Sequence, residues 1–164
     1  MVVLEVETIG GDTFVRGMNR YAEDVTDWRP AFEDIYTNFT NIQKGGFRRQ
    51  GHHGSKWADL SPRYKRWKEM HYPGRPILTR TGRMRDSMTG RNQAASQDTV
   101  KRVEKLAAEF GTQVPYAYAH QHGYPPGNLP ARPMVDLNED QRRKWAKLIQ
   151  EWAWREANKA MGLT

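Results

Sequence analysis

An α+β fold is predicted, a small antiparallel sheet packed with two N-terminal helices and a long C-terminal helix, and three observations predict it. Two stretches before residue 45 carry apolar residues at helical spacing, two β-prone runs flank a polar turn at Glu104-Lys105, and the last quarter holds one long apolar stripe. The elements follow in chain order. Val2, Leu4 and Val6 alternate with Glu5 and Glu7, the period-two pattern of a half-buried strand, which Gly10-Gly11 breaks. Asp12 is placed to cap a helix with Phe14, Met18, Tyr21, Ala22 and Val25 on one face, ending at Trp28-Arg29-Pro30. Pro30 suits the first turn of a second helix, in which Phe32, Ile35, Tyr36, Phe39 and Ile42 share a face and Gly45-Gly46 supplies the stop.

Residues 45–76 read as a long basic excursion, rich in Gly, His, Arg, Lys and Trp, with a short helical patch over Pro62 to Met70. A loop of that length in a compact domain is functional or takes its order from a partner, and partner-dependent order is the reading favoured here. Thr81 or Thr79 can cap a short helix running through Met88. Thr99-Val100-Lys101-Arg102-Val103 and Leu106-Ala107-Ala108-Glu109-Phe110 then form two strands around the Glu104-Lys105 turn. Pro115 to His122 makes a helical turn ended by Gly123, and Pro125 through Pro133 is loop. Asn138 caps the last helix, whose Trp145, Leu148, Ile149 and Trp152 form a wide stripe that stops before Gly162.

At 164 residues the chain fits one domain spanning 1–164, able to bury about two-thirds of its unfolded surface without staples. With no cysteine it has no disulfide framework and no thiolate chemistry. The N-terminal stretch lacks a basic n-region and meets Glu5 too soon for a signal peptide, and no apolar run approaches a membrane span. The expectation is a protein made in the cytoplasm with no membrane partner. Its net charge of +7 is unevenly spread: residues 1–44 carry 4 basic and 8 acidic side chains, residues 45–105 carry 15 and 5. That middle third is suited to nucleic acid, anionic lipid or an acidic protein surface, and equally to an ordinary solvated face.

Five histidines, His52, His53, His71, His120 and His122, make no metal set by spacing: adjacent residues point apart, and His120-x-His122 has no nearby carboxylate. A nuclease built on His52, His53 or His120 would also need an acidic metal cluster beside them. Nucleophile elbows, phosphate-cradling loops and His-Glu-x-x-His helices are missing too, so neither catalytic residues nor cofactors are assigned. Trp57, Tyr64 and Trp67 interleave with Lys56, Arg63, Lys65, Arg66 and Lys68, an arrangement able to stack on and neutralise single-stranded nucleic acid. The blander reading, preferred here, makes Trp57, Leu60, Tyr64 and Trp67 a small apolar face with solvated cations around it. Trp154 lies off the C-terminal stripe, where an aromatic can anchor a neighbouring chain.

Four segments carry a resemblance: Trp57-Ala58-Asp59-Leu60-Ser61-x-x-Tyr64; Leu78-Thr79-Arg80-Thr81-Gly82-Arg83-Met84-Arg85-Asp86-Ser87; Phe110-Gly111-Thr112 with Pro115-Tyr116-Ala117-x-x-His120-Gln121-x-Gly123; and Pro130-Ala131-Arg132-Pro133-Met134. In this order, over about residues 30 to 160, they resemble the phage virion morphogenesis family, the Mu-type tail-completion proteins, which are similar to neck proteins of long-tailed phages. The resemblance implies an α+β ring component of the virion at the head–tail junction, not a catalyst. It implies a six-fold or twelve-fold ring with itself, contact with other neck, connector and tail proteins, and non-specific contact with packaged DNA. The basic insertion after Gly45 and His122-Gly123-Tyr124-Pro125-Pro126 depart from the family pattern, so no contacts carry over there. Residues expected at interfaces or the DNA channel are Arg48, Arg49, Lys56, Trp57, Arg63, Arg66, Arg80, Arg83, Arg85 and Trp154.

Overall fold

The computed structural model describes residues 27–91 and 97–163, together with Arg16 and Asn19. The expected first strand and most of the expected first helix lie outside the described residues. Helix α1, Arg29–Arg49, begins with Pro30 in its first turn, and its buried side, with Ala31, Ile35 and Phe39, follows the helical period. Gly45-Gly46 does not stop it. Gly46 is a point of close approach: a Cβ built there would lie 2.5 Å from His52 Nε2. The helix runs on so that Phe47 enters the core, and it ends where Gln50 turns left-handed with φ 52° and its N–H reaches back to the Gly46 and Phe47 carbonyls. Arg48 and Arg49 occupy the last turn, where the helix dipole favours cations.

The segment expected as an excursion carries elements of its own. Strands β1, Gly51–His52, and β2, Ser55–Lys56, pair antiparallel across His53 and Gly54, both with positive φ as a two-residue hairpin turn requires. Trp57 follows, 6% exposed, donating its indole N–H to the Pro133 carbonyl at 2.7 Å and packing edge-on against Phe47. It therefore belongs to the core and shares no face with Tyr64 and Trp67. Those two stand on α2, Pro62–His71, whose N-cap Ser61 accepts from Tyr64 N–H.

Helix α3, Arg83–Thr89, starts from Gly82 at φ 91°, and Thr81 Oγ1 accepts from the Arg83 N–H while Thr79 is buried and donates to the Pro76 carbonyl. Neither of the two expected threonines is the N-cap: Gly82 holds that position, with no side-chain cap bond. Strands β3, Thr99–Val103, and β4, Ala108–Thr112, pair antiparallel with Thr99 opposite Thr112 and Val103 opposite Ala108. The second strand starts two residues later than expected because Glu104 N–H bonds the Ala107 carbonyl, leaving Leu106 in the turn and exposed. Helix α4, Ala117–His122, ends at Gly123 (φ 82°), and α5, Glu139–Met161, is capped by Asn138, whose side chain accepts from Gln141 N–H at 2.9 Å.

The fold is α+β, with two small antiparallel sheets and a long C-terminal helix. Its core gathers Phe39 and Phe47 of α1, Met84 and Met88 of α3, Trp57, Val114, Ala117 and Met134. Phe110 of β4 meets Tyr36 and Phe39 through ring contacts at 5.2 and 5.9 Å. α5 lies along α1, joined by the Trp28–Trp152 ring contact and by Trp145, which donates its indole N–H to Asn38 Oδ1. No described helix is long and apolar enough to cross a membrane.

Candidate functional site

The signature segments, far apart in sequence, converge on one cavity of about 390 Å³. Tyr64 and Lys68, four apart on α2, form one wall; Leu78 to Met84 form the second; Tyr116 and His120 of α4 the third; Gly127 to Arg132 the fourth. Leu78 stands in this lining at φ 60°, a backbone conformation that a branched side chain seldom takes, held by the Pro76–Thr79 turn beneath it.

Charge around the cavity is one-sided, for no Asp or Glu lines it. Arg83 is spoken for: its Nε and Nη2 grip both oxygens of Asp98 at 2.6 and 2.7 Å, tying α3 to the start of β3 and holding the Asp98 carboxyl below its ordinary range. Arg132 is buried and gives Nε and Nη2 to the Ala58 and Asp59 carbonyls, while Lys68, also buried, gives Nζ to the Pro76 carbonyl at 2.6 Å. Burial lowers the pKa of both. His120 is shifted down by burial first and by the Arg132 charge second, and its Nδ1 has no hydrogen-bond partner among the described residues. It is thus a neutral imidazole near pH 7.

A second basic concavity, about 560 Å³, lies between the end of α1 and α3 and is lined by Lys44, Arg48, Arg49, Arg85 and Arg91. Arg48 and Arg49 have no ion-pair partner among the described residues, whereas Arg85 pairs with Asp86 at 2.7 Å. Lys56 donates to the Arg49 carbonyl nearby. Arg63 and Arg66 are exposed on α2, beside a surface ladder in which Tyr64 stacks on Trp67 at 5.6 Å and Trp67 on His71 at 4.7 Å. Arg80 lies over the Tyr72 ring at the cavity rim, and Trp154 is 66% exposed on α5. The expected interface residues thus divide between the cavity (Arg80, Arg83), the groove (Arg48, Arg49, Arg85) and α2 (Arg63, Arg66). Trp57 stands apart from the others as a buried core indole.

Sequence reasoning left out Lys68, His120 and Arg132 as site residues. Their signal was present, since His120 and Arg132 belong to the signature segments and Lys68 sits one helical turn from Tyr64. Among the described residues, no three His, Asp or Glu side chains gather where a metal ion could sit. The cavity presents hydrogen-bond donors, cations and apolar side chains, the equipment of a docking site.

A model of the phage virion morphogenesis family matches residues 12–153, and the chain belongs to that family. It is accordingly a bacteriophage protein with a structural or assembly role in the virion. No curated protein and no solved structure matches the chain.

Proposed function

We propose that this protein completes the tail and joins it to the head, acting as one subunit of a ring of the Mu-type tail-completion or neck class, without catalysing a reaction. The observation that carries the reading is the family match over residues 12–153, joined to the fact that the four signature segments frame a single docking cavity. A ring subunit meets its neighbours head to tail, so it needs two different complementary surfaces. The acid-rich first 44 residues and the basic middle of the chain supply such a pair in charge. In this reading Arg48, Arg49, Arg63 and Arg66 face acidic neighbours in the neck or packaged DNA, and Trp154 anchors another chain. Light scattering followed by negative-stain imaging of the purified protein tests it: a closed six-fold or twelve-fold ring is expected, and a monomer both alone and on purified tails rejects it. Exchanging the four arginines for glutamine is expected to impair assembly and infectivity; full activity of that variant refutes the assignment of the basic surfaces.

A second reading, a nucleic-acid-binding module, is favoured by one observation, the exposed Tyr64–Trp67–His71 ladder among Arg63, Lys65 and Arg66. Salt separates the two. Binding to a single-stranded oligonucleotide falls steeply with salt if phosphates are neutralised, whereas assembly through apolar anchors persists.

A further inference from the structure

Three cations of the signature cavity have no ion-pair partner among the described residues, although the Asp59 charge acts on Arg132 and the Glu69 charge on Lys68 from beyond contact. Lys68 and Arg132 are 4% and 2% exposed, and their hydrogen bonds go to backbone carbonyls, which satisfy donors without cancelling charge. Arg80, at the rim, lies over the Tyr72 ring, with 5.9 Å from its guanidinium carbon to the ring centre. No ion pair among the described residues includes any of the three. A charge withdrawn from water is stable when it is paired, so cations left without a direct partner around a cavity suit an anion that arrives from elsewhere.

We infer that this cavity receives residues 2–7 of a neighbouring copy of the chain, with Glu5 or Glu7 answering the Lys68, Arg80 and Arg132 charges. The inference rests on the ring reading above. In residues 2–7 the carboxylates alternate with Val2, Leu4 and Val6, so an extended chain puts acid on one side and aliphatic groups on the other. The cavity matches both sides, with Leu60, Leu78 and Leu129 lining it beside the cations. Its volume of 390 Å³ is on the scale of small-ligand sites, about 300–1,000 Å³, so it admits a few side chains and excludes a DNA duplex. Insertion of one copy's start into the next copy's cavity is a contact between unlike surfaces, the kind from which a ring is built when the rotation closes.

The test is a fluorescently labelled peptide of residues 1–9, titrated into the full chain below the onset of self-association and followed by anisotropy. Saturable binding is expected, at least tenfold weaker for a peptide carrying Glu5→Gln and Glu7→Gln. It is also expected to be at least tenfold weaker for the Arg80→Gln chain, whose exposed substitution leaves the fold intact. The peptide substitutions cannot disturb the protein, so equal binding of both peptides overturns the inference. A dT12 oligonucleotide that displaces the peptide and depends equally on Arg80 also overturns it, in favour of nucleic acid. Rings without peptide binding overturn the cavity contact alone and leave the ring reading standing. Peptide binding by a chain that stays monomeric at every concentration assigns the cavity to an acidic segment of another protein, and overturns both the self-contact and the ring.

Discussion

Adjacent glycines in α1 are expected to respond differently to alanine, Gly45 with a gain in stability and Gly46 with none or a loss. At Gly45 a new Cβ meets the Arg49 guanidinium at 3.1 Å, the far end of an exposed and flexible side chain that can swing aside. Gly45→Ala therefore keeps the gain of replacing a helix-interior glycine, about 1 kcal/mol of added stability. At Gly46 the Cβ falls 2.5 Å from His52 Nε2 and 2.9 Å from Cδ2, and His52 is buried with no room to retreat. Overpacking of that kind costs about 1–3 kcal/mol, and setting the helix gain of about 1 kcal/mol against it leaves Gly46→Ala neutral to about 2 kcal/mol destabilising. Thermal melts followed by circular dichroism read the difference, since about 1 kcal/mol moves Tm by about 2–4 °C in a chain of this size. In a His52→Ala background the clash disappears and Gly46→Ala becomes stabilising, a coupling that a double-mutant cycle isolates. Equal shifts at both glycines, or a Gly46→Ala effect indifferent to His52, refute the reasoning.

Trp57→Ala is expected to cost about 3–5 kcal/mol, because it empties the core and strands the Pro133 carbonyl, and a urea titration reads the loss. Asp98→Asn removes the Arg83 pair: because the folded carboxyl is held below its ordinary value, its contribution is present above about pH 4 and fades as pH falls further. The gap between wild type and Asp98→Asn in urea midpoint therefore closes toward acid; a gap that widens contradicts the pairing. His52 and His120 are both shifted down by burial, so protons favour the unfolded chain, and stability falls as pH drops below about 6.5. His120→Gln is expected to flatten part of that fall, and an unchanged pH profile rules the histidine out as its source.

Local signals in the chain are faithful where one residue type does one job. Ser61, Asn138, Gly123 and Gly162 mark their helix ends, and the α1 stripe and the β3–β4 hairpin follow from periodicity. What misleads is a residue whose job is set by a distant neighbour. Gly45-Gly46 has the chemistry of a stop, yet Gly46 is there because His52, six positions on, comes against it. Trp57 has the spacing of an α2 face, but Pro133 and Phe47 draw it into the core. Of the cavity lining, His120 and Arg132 stood in the signature segments and Lys68 one turn from Tyr64, but their burial was not legible, because it is decided by tertiary packing that no local pattern encodes.

The long C-terminal helix is fastened lightly for its length. Among its described residues only Trp152 and Ala160 are buried, with Trp145 reaching Asn38 and Arg155 lying 3.9 Å from Asp34. α1, by contrast, sends Phe39 and Phe47 into the core. Opening free energy follows buried apolar contact, so α5, held by Trp145 against the core and by Trp152 against Trp28, is expected to open more easily than α1. Its amides are therefore expected to exchange with solvent faster than those of α1, a difference that hydrogen exchange reads directly.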